Sequence, residues 1–215
     1  MNKKIFLSAI IILTLMFIFT LSIIKQSRQI TVKPTIKPLI EEKAVILPVS
    51  ENDPMFGNPG SPITIAEFFS FDCQKCLQHH KEIINYIENN PGKVRLIIKE
   101  IAKENWLGAK DVLPLLALTC AREQNKYWEF LNKSIELRKL DETSFISLSK
   151  ELDLNSGLFT ECLHKENYRK ILEAEQDNLK ILGFTNPPYI FINNKQIHLD
   201  NDIKIIDIIK SIVSP

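Results

Sequence analysis

Cys73 and Cys76 constrain the fold of this chain more than any other feature. They stand as Cys-Gln-Lys-Cys just after the apolar run Ile63-Thr64-Ile65-Ala66-Glu67-Phe68-Phe69. The run reads as a strand. The stretch from Leu77 through Ile84 to Ile87 has helical apolar spacing, which Asn89-Asn90-Pro91-Gly92 ends. A strand that enters a helix through a cysteine pair places Cys73 at the helix N-terminus, where unpaired N–H groups and the helix dipole stabilise a thiolate. Two thiols separated by two residues can close a disulfide and exchange it with a bound partner. The same spacing is half of a common zinc site, with His79 and His80 as the nearest further donors. Four ligands on a turn and a half of helix make a poor tetrahedron, and Cys120 and Cys162 stand singly, so redox chemistry is the better reading. Both histidines are expected to be exposed helix residues.

The organisation of the chain agrees with that chemistry. Ile5 through Ile24 carries no charge and is flanked by Lys3-Lys4 and by Lys25 and Arg28. A run of this length matches a bilayer core. A cleavable signal would have a shorter apolar core and a better small-x-small site than Thr20-Leu21-Ser22, so residues 1–24 read as an uncleaved anchor, with a signal peptide as the alternative. Either exports the remainder, and a dithiol acts as an oxidant only in an oxidising compartment. Residues 25–53 are polar, carry Pro34, Pro38 and Pro48, and show no core-forming period, as expected of a flexible linker. Residues 54–215 suit one globular domain. A net charge of +1 without a basic run beyond the membrane flank gives nucleic-acid binding no support.

Within that domain the order reads strand 63–70, helix 73–89 and strand 93–100, then mainly helix to about 182. A hairpin over 189–199 turns at Asn193-Asn194, two residues that tolerate positive φ and suit a type I′ turn. A last helix over 201–213 would face Ile203, Ile206, Ile208 or Ile209, and Val213 inward, with Asp200 or Asn201 as its cap. A βαβ unit, a helical block and a closing ββα unit give the fold class: α/β, thioredoxin-like, with an inserted helical subdomain at about 103–182. Tyr127, Trp128 and Phe130 read as core of that insert, and Trp106 as a possible lining of the substrate face.

Several separated motifs resemble the DsbA family of thiol:disulfide oxidoreductases, in particular its membrane-tethered members. Gly57-Asn58-Pro59-Gly60-Ser61-Pro62-Ile63-Thr64 is similar to the lead-in to the first long strand, and Glu67-Phe68-Phe69-Ser70-Phe71-Asp72-Cys73 to its junction with the active site. Cys120 through Glu129 and Phe159-Thr160-Glu161-Cys162-Leu163 resemble helices of the insert. Gly183 through Asn193, which includes Pro187-Pro188-Tyr189-Ile190-Phe191, resembles the cis-proline loop and the strand after it.

The resemblance implies a disulfide-introducing enzyme with Cys73 and Cys76 as its catalytic pair, acting on reduced exported proteins. It further implies recycling by a membrane quinone-linked oxidase, with no organic cofactor and no metal. A disulfide reductase or isomerase remains the alternative within enzymes, and a metal-binding or adaptor module the alternative outside them. Pro188 is the expected cis residue and Pro187 its neighbour in the peptide-binding loop. Pro187 lacks the N–H that this position offers to an extended substrate. Gln74-Lys75 departs from the Pro-His of the best-known members, so the redox potential does not carry over. Lys75 favours a Cys73 thiolate and Asp72 opposes it. Glu67 is the expected proton relay behind the disulfide, with Lys99 on the next strand as its candidate partner. The export compartment and the resemblance together make Cys120 and Cys162 candidates for a structural disulfide; two buried free thiols are the alternative.

Overall fold

The computed structural model describes residues 47–50, 53–104, 110–198 and 204–213, together with 16, 17 and 19. Met16, Phe17 and Phe19 belong to a separate unit, Met1–Lys37, and are helical and exposed. The rest of the expected membrane segment lies outside the described residues, as do Trp106, Ile203 and the expected caps Asp200 and Asn201. Among the described residues no helix is long and apolar enough to cross a membrane.

The second unit is built on a five-stranded sheet in the order β1-β3-β2-β6-β7. The strands are β1 (Met55–Gly57), β2 (Ile63–Phe69), β3 (Val94–Glu100), β6 (Tyr189–Ile192) and β7 (Lys195–Ile197). β2 and β3 are parallel and joined by α1 (Gln74–Asn89), while the other three pairings are antiparallel. This is the βαβ plus ββα order expected from the apolar periods. The three-residue β1, too short to show a period, escapes a sequence reading. Gly57 lets β1 lie against β3. Its φ is +97°, and a Cβ there would stand 2.9 Å from the Val94 carbonyl oxygen.

Strand alternation divides the core into two faces. Ile63, Ile65, Val94, Leu96, Ile190 and Ile192 pack with Ile83, Ile84 and Ile87 of α1 and with Ile205, Ile208 and Ile209 of α7 (Ile205–Val213). On the opposite face, Ala66, Phe68 and Phe191 pack against Leu179, Phe184 and Leu47. Leu47 is buried and Val49 packs on the same cluster, so the end of the expected linker covers the sheet instead of spanning solvent. Two residues laid flat on a sheet leave no period to read.

The helical block consists of α2 (Leu113–Glu123), α3 (Tyr127–Ser134), α4 (Glu142–Glu151), α5 (Ser156–Leu163) and α6 (Glu166–Ile181). A short ribbon precedes it, pairing β4 (Lys103–Glu104) with β5 (Lys110–Asp111). Asp141 and Asn155 accept the N–H groups of Ser144 and Leu158 and so cap α4 and α5. Phe130, Phe145 and Phe159 form the centre of its core. Cys120 of α2 and Cys162 of α5 are joined there in a disulfide and almost wholly buried.

Candidate active site

The site lies where β2 ends and β6 begins. These neighbouring strands are antiparallel, with Phe68 opposite Tyr189, so the residues after β2 and those before β6 meet at one end of the sheet. After β2 the chain turns through Ser70-Phe71-Asp72 into Cys73, the N-cap of α1. Cys73 and Cys76 are disulfide-bonded, with Cα atoms 5.1 Å apart. Their exposure differs. Cys73 is half-buried, whereas Cys76, one turn into α1, is wholly buried against Phe69 and Ile98. Cys73 Sγ accepts the Cys76 N–H at 3.0 Å, one of the otherwise unpaired donors of the helix start.

Before β6, Gly183 ends α6 with φ +90°, and the Phe184 N–H returns to the Leu179 carbonyl. The ring of Phe184 stacks on Phe68 at 4.2 Å. The Tyr189 hydroxyl accepts the Asn186 N–H and donates to the Gly183 carbonyl, tying the loop to itself. The Pro187–Pro188 peptide is cis. The Pro187 carbonyl oxygen stands 3.5 Å from Cys73 Sγ. In the disulfide this is a van der Waals contact, because the sulfur carries no proton. A Cys73 thiolate would meet there a carbonyl dipole that opposes its charge, set against the Cys76 N–H that favours it.

Beside the disulfide runs a groove of about 680 Å³ bordered by Cys73, Lys103, Gln176, Lys180, Phe184 and Pro187. Its rim charges are paired: Lys103 with Asp72 at 3.3 Å and Lys180 with Glu104 at 2.7 Å. Lys75 is exposed on the first turn of α1. Gln176 joins the groove floor to the insert, donating to the Glu100 carbonyl and accepting the Ala102 N–H.

Behind the disulfide the structure departs from the expected pairing. Glu67 is fully buried, but its partner is His80, whose Nδ1 lies 2.8 Å from Glu67 Oε2. Lys99 does not pair with that carboxylate. β2–β3 register sets Glu67 level with Ile98 and Phe68 level with Lys99, so Glu67 and Lys99 project from opposite faces of the sheet. Lys99 instead pairs with Asp53 at 2.8 Å and with Glu175. Burial works to lower its pKa, but the hydrogen bonds to these two carboxylates outweigh it and hold Lys99 above its ordinary value.

The expectation that His79 and His80 are exposed is likewise corrected: both are buried. Burial holds His79 below its ordinary pKa against the pull of Glu67 and Glu82. On the same face of β3, Glu100 accepts the Tyr127 hydroxyl. Desolvation raises the pKa of the carboxyl and, with the help of Glu100, carries that of the phenol well above its usual range. His80 lies four residues after Cys76, on the same face of α1, and that spacing was the available signal for it.

A family model described as thioredoxin matches residues 49–210. The chain belongs to the thioredoxin family. Among curated proteins it is 25% identical over 188 residues to a Rickettsia prowazekii protein, named provisionally as a protein-disulfide oxidoreductase, covering 80% of this chain and 66% of the relative. A Rickettsia bellii protein with the same provisional name is 26% identical over 175 residues, covering 74% and 64%. The chain thus spans less than two thirds of the length of these relatives. Among solved structures, Chlamydia trachomatis DsbA superposes with a TM-score of 0.60 at 17% identity, covering 81% of this chain and 96% of that one. Oxidised BdbD from Bacillus subtilis gives 0.59 at 20% identity, covering 75% and 90%. The fold is that of DsbA-like proteins: a thioredoxin core with a helical insert.

Proposed function

We propose that the chain is an exported thiol:disulfide oxidoreductase that introduces disulfide bonds into secreted or envelope proteins. The observation that carries the reading is the asymmetry of the pair: Cys73 is reachable at the helix end beside a groove, and Cys76 is sealed behind it. A substrate thiolate attacks Cys73 Sγ, the Cys73–Cys76 bond breaks, and its electron pair remains on Cys76. The substrate's second thiol, as thiolate, then attacks its own sulfur in the mixed disulfide. Cys73 leaves as a thiolate, stabilised by the helix N-terminus and the Cys76 N–H. The substrate loses two electrons and two protons, and the protein ends as a dithiol. Glu67, buried behind the pair, serves as the proton relay for Cys76.

An extended substrate segment lies along the Pro187-Pro188 loop and the groove. Pro187 provides a carbonyl but no N–H, which removes one backbone bond worth about 0.5–1.5 kcal/mol net. Reoxidation falls to a membrane quinone-linked oxidase, and residues 1–24 hold the domain at the outer face of the membrane. The relatives' provisional name supports the reaction class.

A second reading, reductase or isomerase, draws on the Pro187 carbonyl facing Cys73, because a less stable thiolate makes a weaker oxidant. The equilibrium potential of the Cys73–Cys76 pair against glutathione separates the two. A value above about −180 mV supports the oxidant, and one near about −270 mV supports the reductase. Cys76→Ser should accumulate a mixed disulfide at Cys73 with a reduced exported protein. If no such adduct forms, the exchange reaction is excluded.

A further inference from the structure

Glu67 and His80 form a closed pair inside the domain. Both side chains are 0% exposed, and they are joined through Nδ1 and Oε2. The second atoms, Glu67 Oε1 and His80 Nε2, are also buried and have no hydrogen-bond partner among the described residues. The imidazole lies parallel to the Trp128 indole at 6.4 Å and is tilted against Phe69 at 5.4 Å, so its ring has a fixed place. An isolated carboxylate in such surroundings would be costly. A carboxyl and an imidazole sharing one proton carry no net charge, and the site can keep them.

The pair also stands in line with the resolving cysteine. His80 is one turn beyond Cys76 on the same face of α1, and Glu67 is level with Ile98, which packs in one cluster with Cys76 and Phe69. Among the described residues Glu67 also acts on His79 of α1 and on Tyr127 of α3, and Tyr127 is bonded to Glu100 of β3. Burial holds His79 below its ordinary pKa against the pull of Glu67 and Glu82. His80 is thus the imidazole positioned to exchange a proton with Glu67.

We infer that His80 is the second proton-carrying member of the relay: Glu67 and His80 hold one proton between them in the disulfide form and give it to Cys76 when the disulfide opens. When substrate attacks Cys73, the electron pair of the broken S–S bond stays on Cys76 Sγ. The shared proton passes through Glu67 to that sulfur, leaving a Glu67 carboxylate beside a neutral His80 that keeps its proton on Nε2. When the recycling partner forms a mixed disulfide at Cys73, the Cys76 proton returns to the pair. Cys76 then attacks as a thiolate, the S–S bond closes, and the partner leaves reduced. Protons and charge balance over the cycle with no exchange with water at the buried site. His80 touches no reacting atom and acts through Glu67.

This inference rests on the exchange reaction proposed above, and the test separates their failures. The measurement is the rate of Cys76 attack on a preformed Cys73 mixed disulfide, followed by stopped flow from pH 4 to 9. His80→Asn keeps a donor near Nδ1 but cannot carry a proton, and His80→Phe keeps the ring and loses the donor. Glu67→Gln should slow the step on the order of 10²-fold. Both His80 variants should slow it about tenfold and displace its pH inflection. If His80→Asn keeps the parent pH profile while Glu67→Gln is slow, His80 is structural and the inference is overturned, leaving the Glu67 relay intact. If the parent itself resolves no mixed disulfide, the exchange reaction fails first, and this inference with it. Nitrogen-15 spectra of the parent's imidazoles require no substitution. His80 should change protonation between the disulfide and dithiol forms, and identical spectra in the two forms would overturn the assignment.

Discussion

Replacing Cys120 and Cys162 by alanine should cost the domain several kilocalories per mole without touching the exchange site. The bridge spans a sequence separation of 42 residues and ties α2 to α5 across the core of the insert. Chain-entropy reasoning for a loop of that size gives about 4 kcal/mol at 25 °C. Both sulfurs are buried, so truncation adds on the order of 1 kcal/mol through lost packing. For a domain of this length 1 kcal/mol moves Tm by about 2–4 °C, so the double variant should melt roughly 10–20 °C lower. The bond requires both partners. Either single substitution should therefore cost nearly as much as the double, leaving a coupling of about 4 kcal/mol where two independent packing defects would leave almost none. Calorimetry of the four proteins, with Cys73–Cys76 kept oxidised throughout, reads all of these quantities. A fall below about 3 °C, additive singles, or two free thiols in the oxidised parent under denaturing titration would refute the reasoning.

In the reduced protein, brief alkylation followed by peptide mapping should label half-exposed Cys73 well before wholly buried Cys76, and at lower pH; preferential labelling of Cys76 reverses the assignment of nucleophile and resolving thiol. Lys99→Met leaves Asp53 and Glu175 facing each other unpaired and should cost about 2 kcal/mol, between the surface and buried limits, with no change in the pH profile of Cys76 attack; a displaced profile would return Lys99 to the relay. His79 lies below its ordinary pKa of 6.5 when folded, so the stability it contributes by staying neutral is complete above pH 6.5 and is lost as pH falls toward its lowered value. Denaturant unfolding of His79→Gln between pH 7.5 and 5 should therefore show a flatter loss of stability than the parent, and equal slopes would remove His79 from the acid response.

The parts of the fold that could be read from sequence were those that depend on local chemistry. Asn193 and Asn194 have φ of 48° and 65°, the two positive values that a type I′ turn requires and that asparagine tolerates. β2, α1 and β3 follow their apolar periods to within a residue or two. What could not be read depended on register. Strand parity places Glu67 and Lys99 each on some face, but only the β2–β3 pairing makes those faces opposite. His80 was missed for another reason. Adjacent histidines on a helix read as solvent-facing, yet this helix is covered on several sides, by the sheet, by α7 and by Trp128. The four-residue step from Cys76 was the visible signal, and it acquires meaning only once Cys76 is known to point inward.

The parallel stacking of Trp128 on His80 gives the domain an optical property. An imidazolium accepts an electron from an excited indole far more readily than a neutral imidazole does, so emission from Trp128 varies with the charge on the ring beneath it. The indole N–H is anchored on the Met55 carbonyl at 3.1 Å, which keeps the two rings in one geometry. With Trp106 replaced by phenylalanine, Trp128 is the sole indole of the chain. Its brightness then serves as an internal gauge of where the buried proton resides, readable in real time while the disulfide opens and closes.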